Sequence, residues 1–254
     1  MSKTALTFSS LTKDYGRSAV LNAVSFEVAA GDFFGLVGVN GTGKTTLLKC
    51  MLDLCAADSG TIEIFGRSHR DHTARQRLSF LPERFNPPYF LTGENFIRHA
   101  LRLQSVAYDR RQAEHTLGML DLDLAALKLP VRAYSKGMTQ KLGLAACFLS
   151  GRELYVFDEP TSGLDPKARA QFKSHLRELK RRSHTLFLTS HALTDVAEIC
   201  DRVAVMHAGK LCFAGTPREL CQKFGADALE QAFLRCIESS AAHDASNNSL
   251  GRAA

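Results

Sequence analysis

Apolar positions fall in short bursts, and their spacing changes character twice along the chain. Thr4 to Leu11 and Val20 to Val28 alternate or cluster apolar residues and predict strands. Phe33-Phe34-Gly35-Leu36-Val37 is a continuous apolar run that predicts a buried strand, and Lys44 to Leu54 follows with helix-like spacing. Thr61 to Phe65 and Leu78 to Leu81 are further strand candidates. The segment Pro82-Glu83-Arg84-Phe85-Asn86-Pro87-Pro88 can continue neither a helix nor a central strand. Helical patterns come next. Thr92 can cap a helix to about Gln104, Asp109 a second to Leu120, and a third runs from about Ser135 to Leu149, with Leu142, Ala145, Ala146 and Leu149 on one face. Strand character returns at Glu153 to Glu159, a helix opens at Pro166 and runs to about Arg182, and Thr185 to Thr189 is another strand. Val203 to Met206 and Lys210 to Phe213 predict a hairpin through Ala208-Gly209, Thr216 caps a short helix, and Ala226 to Ile237 forms another. Residues from about 85 to 150 therefore read as a helical insertion, and the β-rich portions on either side make one α/β core. From Ser239 on, apolar periodicity is lost and the 239–254 tail is expected to be disordered, leaving a domain over 1–238.

Composition narrows the class. With 45% hydrophobic and 23% charged residues the chain is an ordinary globular one, and 254 residues suffice for one large domain or two small ones. The longest apolar run, Leu142 to Leu149, falls short of the roughly 18 residues of a membrane span. No secretory leader is visible at Met1-Ser2-Lys3-Thr4, so the chain is expected in the cytosol unless a partner carries it to a membrane. The seven cysteines are odd in number and lack a C-x-x-C pair, which favours buried reduced thiols over disulfide or metal roles. A net charge of +6 permits nucleic acid or an anionic lipid surface as partner. The basic residues are dispersed apart from Lys180-Arg181-Arg182, so a solvated basic face is the simpler reading. No internal repeat is present.

The chemistry begins at GVNGTGKTT, Gly38 to Thr46, which follows a strand and opens a helix. That is the context required of G-x-x-x-x-G-K-[ST]. Gly38, Val39, Asn40, Gly41, Thr42 and Gly43 form a loop whose backbone N–H groups can cradle phosphates, since glycines let the backbone approach closely. The helix that follows starts with unpaired N–H groups and partial positive charge. Lys44 would reach the β- and γ-phosphates, and the Thr45 hydroxyl would ligate Mg²⁺, with Thr46 completing the turn. Asp158 and Glu159 end an apolar strand. Beside a nucleotide, Asp158 would hold Mg²⁺ and Glu159 would orient or deprotonate the attacking water. His191, at the end of the Thr185 to Thr189 strand, is a candidate γ-phosphate contact. Tyr15 could stack on a base, although alone it reads as a half-buried turn aromatic.

Taken in order, GVNGTGKT at 38–45, YSKGM at 134–138, LYVFDE at 154–159, SGLD at 162–165 and TSH at 189–191 resemble the nucleotide-binding subunit of an ATP-binding cassette (ABC) transporter, over about Thr4 to Ile237. The resemblance implies a P-loop NTPase α/β core with an antiparallel β subdomain and an inserted α-helical signature subdomain. It implies ATP and Mg²⁺ as cofactors and ATP hydrolysis as the activity. Tyr15 would be the aromatic that stacks on adenine, YSKGM the signature segment, SGLD with Asp165 the D-loop, and His191 the switch histidine. In the family, two domains pair head to tail around two ATP, so Ser135 and Gly137 would act across the dimer interface. A second nucleotide-binding subunit and an integral membrane permease are the implied partners, on the cytoplasmic face of the cell membrane, with no nucleic acid expected.

Two departures stand out. Lys136 and Met138 replace the glycine and glutamine of the usual signature, and Glu83 replaces the glutamine usual in its loop. A carboxylate at Glu83 can still ligate Mg²⁺ but adds charge and cannot donate. LPE with YSKGM resembles an exporter branch of the family. The competing reading is a soluble ABC ATPase acting on nucleic acid or ribosomes; the long insertions or second cassette usual there are missing. A kinase or GTPase is the third reading, but there is no N-K-x-D motif for guanine.

Overall fold

The computed structural model describes residues 3–16 and 18–250. They divide into two compact units, one formed by residues up to 74 together with those from 189 on, the other by 75–188.

The first unit starts with β1 (Thr4–Tyr15), β2 (Ser18–Ala29), β3 (Phe33–Val37), α1 (Lys44–Met51), β4 (Ser59–Ile64), β5 (Arg67–Ser68) and a single turn, α2 (His72–Arg75). β2, β1, β4 and β5 form, in that order, an antiparallel sheet, as the resemblance implied. Alternation along β1 and β2 puts Leu6, Phe8, Val24, Phe26 and Val28 on the buried face, as period-two patterning requires. Stacked rings continue from Phe8 to Phe26 (4.6 Å) and from Phe26 to Phe34 of β3 (5.4 Å). β1 and β2 run several residues beyond the expected spans, because register shifts between Phe8 and Lys13 absorb the break in alternation.

The second unit holds β6 (Leu78–Leu81), α3 (Gly93–Leu103), α4 (Arg110–Met119), α5 (Lys136–Leu149), β7 (Leu154–Asp158) and α6 (Pro166–Arg181). The expected helical insertion is present, but the compact unit is wider than 85–150. β6 pairs in parallel with β7, and Arg77 is clamped to Glu153 with Nε 2.7 Å from Oε1, so flanking strands belong with the helices. Its core is aromatic: Phe148, Tyr155, Phe157 and Phe172 lie at 5.8–6.2 Å centroid spacings. The helix caps follow the sequence. Thr92, Asp109, Ser135 and Asp165 each accept a hydrogen bond from the backbone N–H three residues on.

The chain leaves this unit through β8 (Thr185–Ser190) and closes the first with α7 (Leu193–Ile199), β9 (Arg202–His207), β10 (Lys210–Gly215), α8 (Pro217–Lys223) and α9 (Leu229–Leu250). β3 runs parallel to β9, and β9 forms the expected hairpin with β10. Thr216 and Glu219 make a reciprocal capping box at α8. α9 runs on to Leu250, past Ser239, where apolar periodicity ends in the sequence. Its first turns pack through Leu229, Ala232, Phe233 and Cys236, and the alanines beyond propagate a helix already nucleated. All seven cysteines are free thiols. Among the described residues no helix is long and apolar enough to cross a membrane.

Candidate functional site

The first unit carries the glycine loop. β3 ends at Val37, residues 38–43 turn, and α1 starts at Lys44. The turn needs its glycines: Gly43 is the N-cap at φ 103, and a Cβ there would stand 2.5 Å from the Val20 carbonyl oxygen. The Thr42 hydroxyl donates to the Val39 carbonyl at 2.9 Å, and Thr42 is buried. Lys44 is only 8% exposed, and its Nζ donates to the carbonyls of Gly38 (2.6 Å) and Val39 (3.1 Å). The ammonium is thus folded into the arc of the loop, in front of a helix N-terminus with no side-chain cap. Val39, Asn40, Gly41 and Thr45 are exposed and Thr46 is half-buried, so the concave backbone faces solvent. Such a nest of N–H groups with a buried lysine suits a polyphosphate.

Tyr15 ends β1 with its ring 51% exposed. Its hydroxyl donates to Cys55 Sγ at 3.7 Å, and Lys13 Nζ stands 5.4 Å from the ring centroid. His191 follows β8 and is exposed.

The second unit carries the acidic and signature residues. Asp158 ends β7 at 4% exposure, and Glu159 follows at 8%. Glu159 adopts φ 50, an uncommon backbone for a non-glycine residue, just where the chain leaves the strand. The Gln140 side chain of α5 donates to the Pro160 carbonyl at 3.0 Å, tying the signature helix to the residue after Glu159. Ser135 is exposed at the start of α5, its Oγ accepting from Met138 N–H at 3.2 Å. Gly137 lies against the D-loop turn, where a Cβ would stand 3.0 Å from the Gly163 carbonyl oxygen, and the stem of Lys136 covers Gly163. The structure therefore brings Ser135, Lys136 and Gly137 together with Gly163, and Lys136, though exposed, lays its stem over that glycine. Asp165 caps α6 by accepting from Ala168 N–H at 2.8 Å, a bond that lowers its pKa with help from nearby Lys141. An ionised, accept-only carboxylate cannot donate to a phosphate, so its chemistry fits a cap better than a phosphate ligand. Glu83 is exposed just beyond β6.

Sequence reasoning missed Gln140 and Lys141. Lys141 is buried and donates to the Asp121 carbonyl at 2.9 Å, within 3.9 Å of the Asp165 carboxylate. A polar Gln-Lys pair inside an otherwise apolar helix was the available signal. Also unforeseen is a cleft of about 650 Å³ lined by α4, α5 and α6 residues. There His175 packs on Phe148 at 4.2 Å, both its ring nitrogens lack a partner, and burial lowers its pKa to about 4.

A strand, a glycine loop holding a lysine and a helix N-terminus, with a separate strand ending in two buried carboxylates, define a P-loop nucleotide-binding protein. Residues 21–162, over half of the chain, match the family model described as ABC transporter. The chain belongs to the ABC transporter family. It is 38% identical, over 79% of its length, to an uncharacterized ABC transporter ATP-binding protein of Synechocystis sp., of whose length it spans 57%. It is 34% identical, over 91% of its length and 74% of the relative's, to Nod factor export ATP-binding protein I of Rhizobium etli. A solved ATP-binding subunit of an ABC transporter superposes with TM-score 0.82 at 28% identity, covering 91% of this chain and 99% of that one. A dimeric ATP-binding cassette bound to ADP and Pi shares the fold, with TM-score 0.76 at 20% identity over 83% of this chain and 98% of that one.

Proposed function

We propose that this chain is the ATP-binding and ATP-hydrolysing subunit of a transporter, and that two such subunits close around two ATP to drive a separate integral membrane subunit. The observation that carries the reading is Lys44, held by the Gly38 and Val39 carbonyls in front of the N-terminus of α1. The nest binds the β- and γ-phosphates while Tyr15 offers its exposed ring to adenine. Thr45 and Asp158 supply hard oxygen donors, the set that suits Mg²⁺, with Glu83 as a further carboxylate. When bound, the ion neutralises charge on the phosphate oxygens. Glu159 takes the proton of the attacking water, and His191 contacts the γ-phosphate. Ser135 keeps its hydroxyl hydrogen free to donate while its lone pair caps α5, so it can serve the γ-phosphate of a partner's ATP, with the Gly137 N–H beside it.

The printed role of the Rhizobium etli relative, Nod factor export, supports export as the direction. An exposed apolar patch supports a membrane partner. Tyr89, Phe90 and Leu129 are brought together where Arg132 N–H bonds the Tyr89 carbonyl (3.1 Å) and Val131 N–H the Leu91 carbonyl (2.8 Å). The subunit would then sit on the cytoplasmic face of the membrane as a peripheral protein.

Glu159→Gln tests the mechanism. The change keeps side-chain size and the backbone strain at φ 50 but removes the base. MgATP binding is expected to persist while phosphate release slows by about 10²-fold or more, the scale of a lost general base. Size-exclusion chromatography should show an ATP-dependent dimer. Normal hydrolysis would move the base elsewhere, and an ATP-loaded monomer would refute closure around ATP.

A further inference from the structure

Two of the seven thiols lie side by side. Cys50 is on the last turn of α1, and Cys55 is in the hook that follows it, with Sγ atoms 3.4 Å apart. The hook has a local cause. Asp53 takes φ 60, and the N–H groups of Leu54 and Cys55 both return to the Lys49 carbonyl, at 2.9 and 3.3 Å. This left-handed exit folds Cys55 back over the helix. Cys50 is fully buried, whereas Cys55 is half-exposed. Burial and the neighbouring sulfur push the Cys50 thiol up to about 12, so the half-exposed partner is the accessible one.

Cys55 also faces the other way. Its Sγ accepts from the Tyr15 hydroxyl, and the same segment is fastened to the end of β1 by Asp58, which binds Lys13 Nζ at 2.9 Å and Asp14 N–H at 2.6 Å. The dithiol therefore connects the end of the phosphate-loop helix to the tyrosine assigned to adenine.

We propose that Cys50 and Cys55 form an oxidisable dithiol, a modification site for small-molecule disulfides, whose closure weakens nucleotide binding through Tyr15. The Cys55 thiolate attacks one sulfur of a disulfide R–S–S–R, forming a mixed disulfide and expelling one thiolate RS⁻. Cys50, losing its proton to solvent, attacks the Cys55 sulfur; the Sγ–Sγ bond forms and a second RS⁻ leaves. The protein gives up two electrons and two protons, and R–S–S–R becomes two RSH. A disulfide bond is about 2.0 Å long, so the sulfurs approach by roughly 1.4 Å. That motion draws Cys55 Sγ towards α1 and away from the Tyr15 hydroxyl. The effect on nucleotide rests on the adenine role proposed for Tyr15; the bond does not.

The test uses the full chain, reduced and then incubated with oxidised glutathione. Trypsin cuts after Lys49 and Arg67, so residues 50–67 form one peptide with both cysteines. After alkylation, that peptide should be lighter than its reduced, unalkylated form by two hydrogens and carry no alkyl group. Titration with a fluorescent ATP analogue in the presence of Mg²⁺ should show affinity falling about five-fold, less than the loss of a whole base stack, and dithiothreitol should restore it. Cys50→Ala should abolish both effects. A glutathione adduct on Cys55 with Cys50 alkylated, or a disulfide only at the contacting Cys212 and Cys236, would overturn the site. If the bond forms and affinity holds while Tyr15→Ala weakens binding, the coupling is wrong. If Tyr15→Ala itself has no effect, the adenine role falls and takes the coupling with it, while the peptide mass still decides the bond.

Discussion

Gly41 and Gly43 share the phosphate loop and both adopt positive φ, yet they should respond very differently to alanine. At Gly41 (φ 81) a Cβ would meet nothing within 4 Å. Gly41→Ala then costs only the backbone penalty of an L-residue in the left-handed region, about 1–2 kcal/mol. At Gly43 (φ 103) the same penalty applies, and the new methyl would stand 2.5 Å from Val20 O and 2.9 Å from Leu21 Cδ2. Val20 belongs to β2, whose neighbour Asn22 is anchored by its N–H to the Gly209 carbonyl at 2.8 Å, so it cannot yield freely. Overpacking of this kind adds about 1–3 kcal/mol. The loop can escape the clash only by shifting the N–H groups at the start of α1. The two variants should therefore differ in affinity for MgATP by roughly 5- to 150-fold, the equivalent of that extra term. Titration with a fluorescent ATP analogue measures the difference, and urea unfolding shows whether both variants remain folded. Lys44→Ala sets the scale for losing the ammonium. Equal affinities for the two alanine variants would refute the packing account of the loop.

Ser135→Arg should suppress ATP hydrolysis while leaving nucleotide binding by the isolated subunit intact; a parallel fall in both would remove Ser135 from a partner's site. His175 gives a pH dependence of stability. Its folded pKa of about 4 lies below the ordinary value of 6.5, so between these values the unfolded chain binds the proton and the native one does not. Stability should fall as pH drops from about 6.5 to 4, by about 2 kcal/mol after allowance for solvent in the cleft. Urea unfolding of His175→Phe should lack that component, and an unchanged pH profile would show that His175 is not held neutral.

Much of the fold was legible because its elements are marked by local chemistry. The run Phe33 to Val37 is a strand with those bounds, since five consecutive buried apolar residues leave no other economical conformation. Helix starts were readable from Thr92, Asp109, Ser135 and Thr216, whose side chains satisfy N–H groups that the helix cannot. Helix ends were harder. The segment expected to run to Leu54 stops at Met51, because Asp53 turns left-handed, and no residue type announces that as a glycine would. α2 and α7 are too short for periodicity to emerge. The division at residues 75 and 188 escaped notice because it depends on the pairing of β6 with β7, strands some 70 residues apart in sequence.

The site was readable to the extent that its chemistry is backbone chemistry. A nest of N–H groups needs glycines and a following helix, and both can be read from spacing. Side-chain contacts that depend on tertiary packing cannot. Gln140 reaches the Pro160 carbonyl and Lys141 the Asp121 carbonyl only because α5 lies against those loops. The three positions Gly43, Ser135 and Asp165 make the distinction concrete, since each is a helix N-cap. Gly43 leaves the end of α1 bare, and its N–H groups stay available to an anion. Ser135 caps α5 through a lone pair and retains a hydrogen to donate, so capping and phosphate contact are compatible in one side chain. Asp165 caps α6 with a charge of the wrong sign for a phosphate, which is already engaged by Ala168 N–H and lies near Lys141. The same local signal, a residue before a helix, thus covers a bare helix end, a cap that can still donate and a cap that can only accept. What separates them is the donor and acceptor inventory of the side chain, together with the partners it has already taken.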